Sequence, residues 1–187
     1  MKRFLLSALA LAAIASPASA DRRVEKMNIP EEHRMGEQTL RLQGTGIGKA
    51  TFLGLKVFVA ALYTESPLRS AQSLREAAGP LRMDFTFLRR VDAHNNARAW
   101  DYHFREFNDR PYAESARDLA VFKQSLGALH RGTVQSFELT GDQTRFYEGG
   151  VLKCVIPGKG FQRSFLSIWA SDKREQRNLQ KGLLGVL

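Results

Sequence analysis

The 187-residue sequence contains one cysteine, Cys154, so no internal disulfide can form. A thiolate metal cluster is excluded for the same reason. The histidines are His33, His94, His103 and His130, and none are paired at the i,i+3 or i,i+4 spacing of a helical metal site. There is no G-x-S-x-G elbow, no internal repeat and no low-complexity segment. Acidic residues are few: 19 Asp and Glu stand against 28 Lys and Arg. Beyond residue 20, no apolar run approaches the roughly 20 residues that span a bilayer. Neither a cofactor nor a metal is expected from these features, and Cys154, within "VLKCVI", reads as a buried small hydrophobe.

The first residues are of another kind. Lys2 and Arg3 precede an apolar run from Phe4 to Ile14, broken only by Ser7, and Pro17 leads into Ala18-Ser19-Ala20. A positive start, a short apolar stretch and a small-x-small site make a cleavable signal peptide, and the run is too short for a membrane span. Cleavage is expected after Ala20, with export to a bacterial periplasm. Losing Lys2 and Arg3 lowers the net charge from +9 to +7. For a basic exported protein, nucleic acid is not the expected partner. An acidic small molecule or an anionic membrane surface fits better. The basic residues are scattered in pairs such as Arg22-Arg23 and Arg89-Arg90, the pattern of a solvated surface.

One domain is expected after the leader. Residues 21–36 are polar and aperiodic and read as an irregular arm, with the domain proper at 37–187. "TLRLQG" alternates as a strand, and Phe52 to Tyr63 is apolar on both alternating faces, as in a central strand covered on both sides. "SAQSLREAAGP" reads as a short helix. In "LRMDFTFLRR", Leu81, Met83, Phe85 and Phe87 share one face. Asp92 can cap a helix carrying Ala93, Ala97, Trp100, Phe104 and Phe107 at helical spacing. Leu119, Phe122, Leu126 and Leu129 make a second stripe. Three short strands follow, turning at Gly141-Asp142 and Gly149-Gly150. A helix with Phe161, Phe165, Ile168 and Trp169 comes next, and Asp172 can cap a last helix. This order predicts an α+β fold, an antiparallel sheet with helices packed against it.

The stretch "GTGIGKATFLGLKVFVAALYTE", residues 44–65, invites comparison with a phosphate loop. That loop needs G-x-x-x-x-G-K-S/T followed by a helix. Here Gln43 holds the first glycine position, Ala50 the hydroxyl position, and a strand follows. The dinucleotide fingerprint fails as well, since Lys49 occupies its last glycine position. A flexible bend between two strands is the better reading.

That stretch, with "MDFTFLRRVDAHNNARAW" and "GFQRSFLSIWASDKREQRNLQKGLLG", resembles the chalcone isomerase-like family in its exported bacterial branch. The resemblance covers Gly44 to Gly185 and rests on the three segments together. It implies an open-faced β-sandwich, in which a large antiparallel sheet packs on a helical layer with an apolar cleft between them. Plant enzymes of the family cyclise chalcones without a cofactor, and relatives bind fatty acids in the same cleft. The enzymes' arginine falls on Gly48 or Lys49, and their threonine on Phe58. Their helix tyrosine falls on Asn96, the asparagine seven residues on falls on His103, and the late-helix polar residue falls on Ile168. Most of the groups that would stabilise a developing enolate are therefore replaced, and no catalytic residue is assigned.

Three functions remain open on the sequence. The first is a non-catalytic exported protein that binds an apolar or amphipathic, fatty-acid-like ligand, with Lys49 at the mouth and Phe58, Asn96, Trp100, His103 and Ile168 on the wall. The second is an isomerase, an intramolecular lyase acting on another substrate. The third is an envelope-associated protein binding anionic surfaces through its charge.

Overall fold

The computed structural model describes residues 21–50 and 54–186, so the expected signal peptide lies outside the described residues. The first feature is a two-stranded hairpin, β1 (Arg22–Val24) with β2 (Met27–Ile29). Glu25 and Lys26 turn it with φ of 50° and 65°. That left-handed pair matches the twist of the flanking strands. The strands β3 (Glu32–Met35), β4 (Gln38–Ala50), β5 (Leu55–Thr64), β6 (Leu81–Phe87), β7 (Val134–Leu139), β8 (Gln143–Glu148) and β9 (Val151–Pro157) form one antiparallel sheet in chain order. The stretch 21–36, expected to be an irregular arm, is thus a hairpin plus an edge strand. Its strands are three or four residues long, too short for alternation to register.

Among the described residues, five α-helices, with a 3-10 turn at Tyr112–Glu114, cover one face of the sheet. Helix α1 (Ala71–Arg75) starts at a reciprocal Ser70/Ser73 capping box. Helix α2 (Ala93–Glu106) starts at Asp92, whose side chain accepts from Asn95 N–H at 2.8 Å. Helix α3 (Ala116–Gln124) carries Leu119 and Phe122 inward, while Leu126 and Leu129 reach the core from the loop beyond it. Helix α4 (Gly160–Trp169) is buried over nearly its whole length. Helix α5 (Arg177–Leu183) follows Gln176 and has no side-chain cap; Asp172 lies too far upstream for the capping expected of it.

The two-sided apolar strand expected from Phe52 to Tyr63 is present as β5 from Leu55 onward; Phe52 and Leu53 lie outside the described residues. Ala60 and Leu62 join the core under the helices, together with Leu81, Met83, Phe85 and Phe137. Val59, Ala61 and Tyr63 point the other way and pack with Ile29, Met35 and Leu40. The N-terminal hairpin therefore closes the outer face over β4 and β5. Farther along that face the cover is polar: Arg82 donates to Asp84 and Glu138 at 2.8 Å and to Ser136 at 2.9 Å.

The glycine stretch is neither a loop nor a flexible bend. It lies within β4, which runs on to Ala50 with irregular register at Leu42/Gly44 and Gly48/Lys49. Gly44, Gly46 and Gly48 are two apart and share a face. A Cβ on Gly46 would stand 2.6 Å from Leu179 O, and one on Gly44 would strike Gly182 O. From the other side, a Cβ on Gly182 would strike Thr45 O. The glycines let α5 lie backbone to backbone on β4, which sets the position of the cleft.

Candidate functional site

Where β4 and β5 pass under α2 and α5, the helical layer stands off the sheet. The space is a cleft of about 460 Å³, within the range of small-molecule sites. Ile47, Val57, Phe58, Ala99, Phe107 and Leu179 give it apolar walls. Lys49, Tyr102, His103, Glu175, Gln176 and Asn178 supply the polar groups. An inner chamber of about 60 Å³ adjoins it, and both are bordered by Val57, Phe58, Ala99 and His103. Phe85, Phe87, Trp100 and Trp169 complete the inner walls.

Of the residues expected at the site, Lys49 is exposed beside the outer chamber and makes no ion pair among the described residues. Phe58 and His103 border both chambers, and Asn96 and Trp100 border the inner one. Ile168, expected on the wall, is fully buried in the core and borders neither chamber. Its neighbour Trp169 takes that place: one step along α4 turns the side chain to another face. Tyr102 and His103, neighbours on α2, both border the outer chamber, with ring centroids 5.9 Å apart.

Asn96 is not free to hold a ligand. Its Nδ2 donates to Gly127 O at 3.0 Å, and its Oδ1 accepts from Gln135 at 3.4 Å. Gln135 also donates to Glu148 at 2.8 Å and accepts from Trp100 Nε1 at 3.1 Å. This buried network is satisfied internally and fixes α2 and Trp100 against β7 and β8. Trp169 differs, because its Nε1 is buried with no partner among the described residues. An acceptor carried in by a ligand or a water would satisfy that donor.

His103 sits among aromatic rings, with centroids 5.4 Å from Phe107, 5.7 Å from Trp169 and 6.3 Å from Trp100. Its polar neighbour is Gln176 Nε2, 3.4 Å from Nδ1. Burial pushes its pKa down to about 4, so the imidazole is neutral at ordinary pH. Outside the cleft, burial works to raise the Asp101 carboxyl. Hydrogen bonds from Lys123, Arg105 and Tyr112 outweigh it and hold the group well below the usual carboxylate range. Cys154 is half-buried against Ser125, and desolvation raises its thiol pKa, the mark of an unreactive thiol.

The site therefore offers an apolar slot, the Lys49 ammonium and the Glu175 carboxylate at its exposed side, the Tyr102 hydroxyl, amides at Gln176 and Asn178, and a neutral imidazole. Among the described residues, no cluster of three His, Cys, Asp or Glu could hold a metal, and no helix is long and apolar enough to cross a membrane. The contributions of Ala99, Gln176 and Leu179 gave no local signal in the sequence. The repeated glycines of β4 held the only hint of where α5 would dock.

The profile of the chalcone isomerase-like family matches residues 21–185. No curated protein matches the sequence significantly. Among solved structures, a fatty-acid binding protein of Arabidopsis thaliana superposes with a TM-score of 0.67 at 14% sequence identity, covering 91% of this chain and 95% of that one. At that identity the likeness shows the fold. The sheet, the helical layer and the family match agree over almost the whole described chain, and the protein belongs to the chalcone isomerase-like family.

Proposed function

We propose that this protein is an exported, non-catalytic binder of an apolar or amphipathic acid, held in the cleft between β4–β5 and α2–α5. The observation that carries the reading is an apolar slot of about 460 Å³ with Lys49 at its rim. A chain of methylenes gains about 0.8 kcal/mol for each CH₂ it buries, and a rim ammonium favours an anionic head. The fatty-acid binding of the Arabidopsis neighbour is the matching chemistry on the same fold. The loss of donors at two of the family's catalytic positions supports a binding role over an enolate-stabilising one: Asn96 is consumed in the Gln135–Glu148 network, and Phe58 stands where a hydroxyl would be needed. Export to a bacterial periplasm, as part of an exported branch of the family, is supported by the leader pattern of residues 1–20.

The test is native mass spectrometry of residues 21–187, purified gently from the periplasm. A discrete added mass that disappears on delipidation is expected, as is a rise in melting temperature when long-chain acids are returned. A bare mass with no thermal response to such acids would contradict the reading. Lys49→Ala is expected to weaken binding of the acid more than binding of the matching alcohol. Raising the ionic strength should barely change uptake into the cleft. Steep loss with salt would instead indicate surface adsorption to anionic lipid.

A further inference from the structure

Two observations single out Phe58. It is one of the few side chains bordering both chambers, with Val57, Ala99 and His103. It also pairs across the strands with Gly48. A Cβ built on Gly48 would fall inside the contact distance of Cζ, Cε1 and Cε2 of the Phe58 ring. The ring tip therefore rests on the bare Cα of Gly48, in a seat that only glycine leaves open. Phe85 and Phe87 hold the ring from the sheet side, with centroids 5.4 and 5.9 Å away. Gly44 and Gly46 make room for α5, whereas Gly48 makes room for a side chain.

We infer that Phe58, seated on Gly48, is the partition that sets how long a ligand the cleft accepts. The inference rests on the ligand-binding reading and adds a length determinant to it. A chain entering past Lys49 fills the outer chamber and meets the ring. Beyond it lie only about 60 Å³, room for about two water-sized bodies. The inner chamber is walled chiefly by the rings of Trp100, Trp169, Phe85 and Phe87, so it suits a methyl end once the Phe58 ring is removed.

The experiment is calorimetric titration of residues 21–187 with saturated straight-chain acids of increasing length. Wild type, Phe58→Ala, Phe58→Leu and Gly48→Ala are compared, each first shown folded by circular dichroism and thermal melting. In the wild type, affinity should rise about fourfold per methylene and then level off when the outer chamber is full. In Phe58→Ala, each methylene beyond that plateau should again gain about fourfold, with Phe58→Leu in between. Gly48→Ala fills the seat and drives the ring into the cleft, so binding should weaken at every length. The same plateau in wild type and Phe58→Ala would overturn the partition while leaving the cleft as a binding site. Unchanged binding by Gly48→Ala would overturn the seat. Failure of the wild type to bind any acid would remove the ligand-binding reading, and the partition with it.

Discussion

The two ends of the interface between sheet and helices are built very differently. Under α3 and α4, Phe122, Phe137, Phe146, Phe161 and Phe165 are fully buried and interlocked. Their centroids lie 4.5 Å apart for Phe137–Phe165 and 4.9 Å for Phe122–Phe146. Under α2 and α5, Gly48, Ala50, Val57 and Ala99 face one another across about 460 Å³. Protein interiors are otherwise packed like organic crystals. A void of this size beside a solid aromatic core is thus a feature of the fold, made by small residues on β4 and α2. The backbone contact of Gly44 and Gly46 with α5 fixes the helix whose Asn178 and Leu179 border the same void. One strand uses glycine first to dock a helix and then, two residues on, to seat a ring.

The sharpest way to expose this contrast is to cut an aromatic from each end. Phe122→Ala leaves a hole among four rings and should cost about 3–5 kcal/mol in urea unfolding. Phe58→Ala removes a half-buried ring already bordering open space and should cost only about 1–2 kcal/mol. Equal losses would mean the two ends are packed alike. Next in size, Gly182→Val puts a branched side chain against Thr45 O and should cost about 1–3 kcal/mol. It should also abolish binding, because Leu179 and Asn178 move with α5. Gly79→Ala, where an added Cβ meets nothing within 4 Å, should change stability by less than about 0.5 kcal/mol.

The ends also differ in their response to pH. His103 is held neutral, with a pKa near 4 in the folded chain against about 6.5 unfolded. Below about pH 6.5 the unfolded chain takes up a proton that the folded chain refuses. Stability should therefore be full above that pH and fall as pH drops toward 4. In His103→Gln this slope should flatten between pH 6.5 and 4, with little change at pH 8. An unaltered slope would mean that His103 is solvated in the folded protein.

The sequence made the regular elements legible where side-chain period and burial agree. Phe85 and its alternating partners on β6 are an example, as is the stripe of Trp100 and Phe104 on α2. Residues 21–36 were opaque because three-residue strands carry no period, and their cover over Tyr63 is a tertiary fact. The glycines of β4 were misjudged as a bend because glycine weakens a strand locally; the gain comes from α5, more than a hundred residues away. Of the residues that border the two chambers, Lys49, Phe58 and His103 were named from the family resemblance and Trp100 from the helical stripe of α2. Gln176, Leu179 and Trp169 were not, since each reaches the cleft from a distant helix or its flank. Asn96 was expected on the wall and borders the inner chamber, but the Gln135–Glu148 network that occupies it is invisible in one dimension.

The protein's two tryptophans, Trp100 and Trp169, both border the inner chamber. Tryptophan fluorescence, excited selectively, therefore reports on the site. The most direct measurement is a titration with a long-chain fatty acid brominated along its tail, since bromine quenches tryptophan only at short range. The account predicts saturable quenching that the unbrominated acid reverses by competition, and that deepens in Phe58→Ala. An acid that binds by calorimetry yet leaves both tryptophans unquenched would place the ligand elsewhere and contradict the cleft as the binding site.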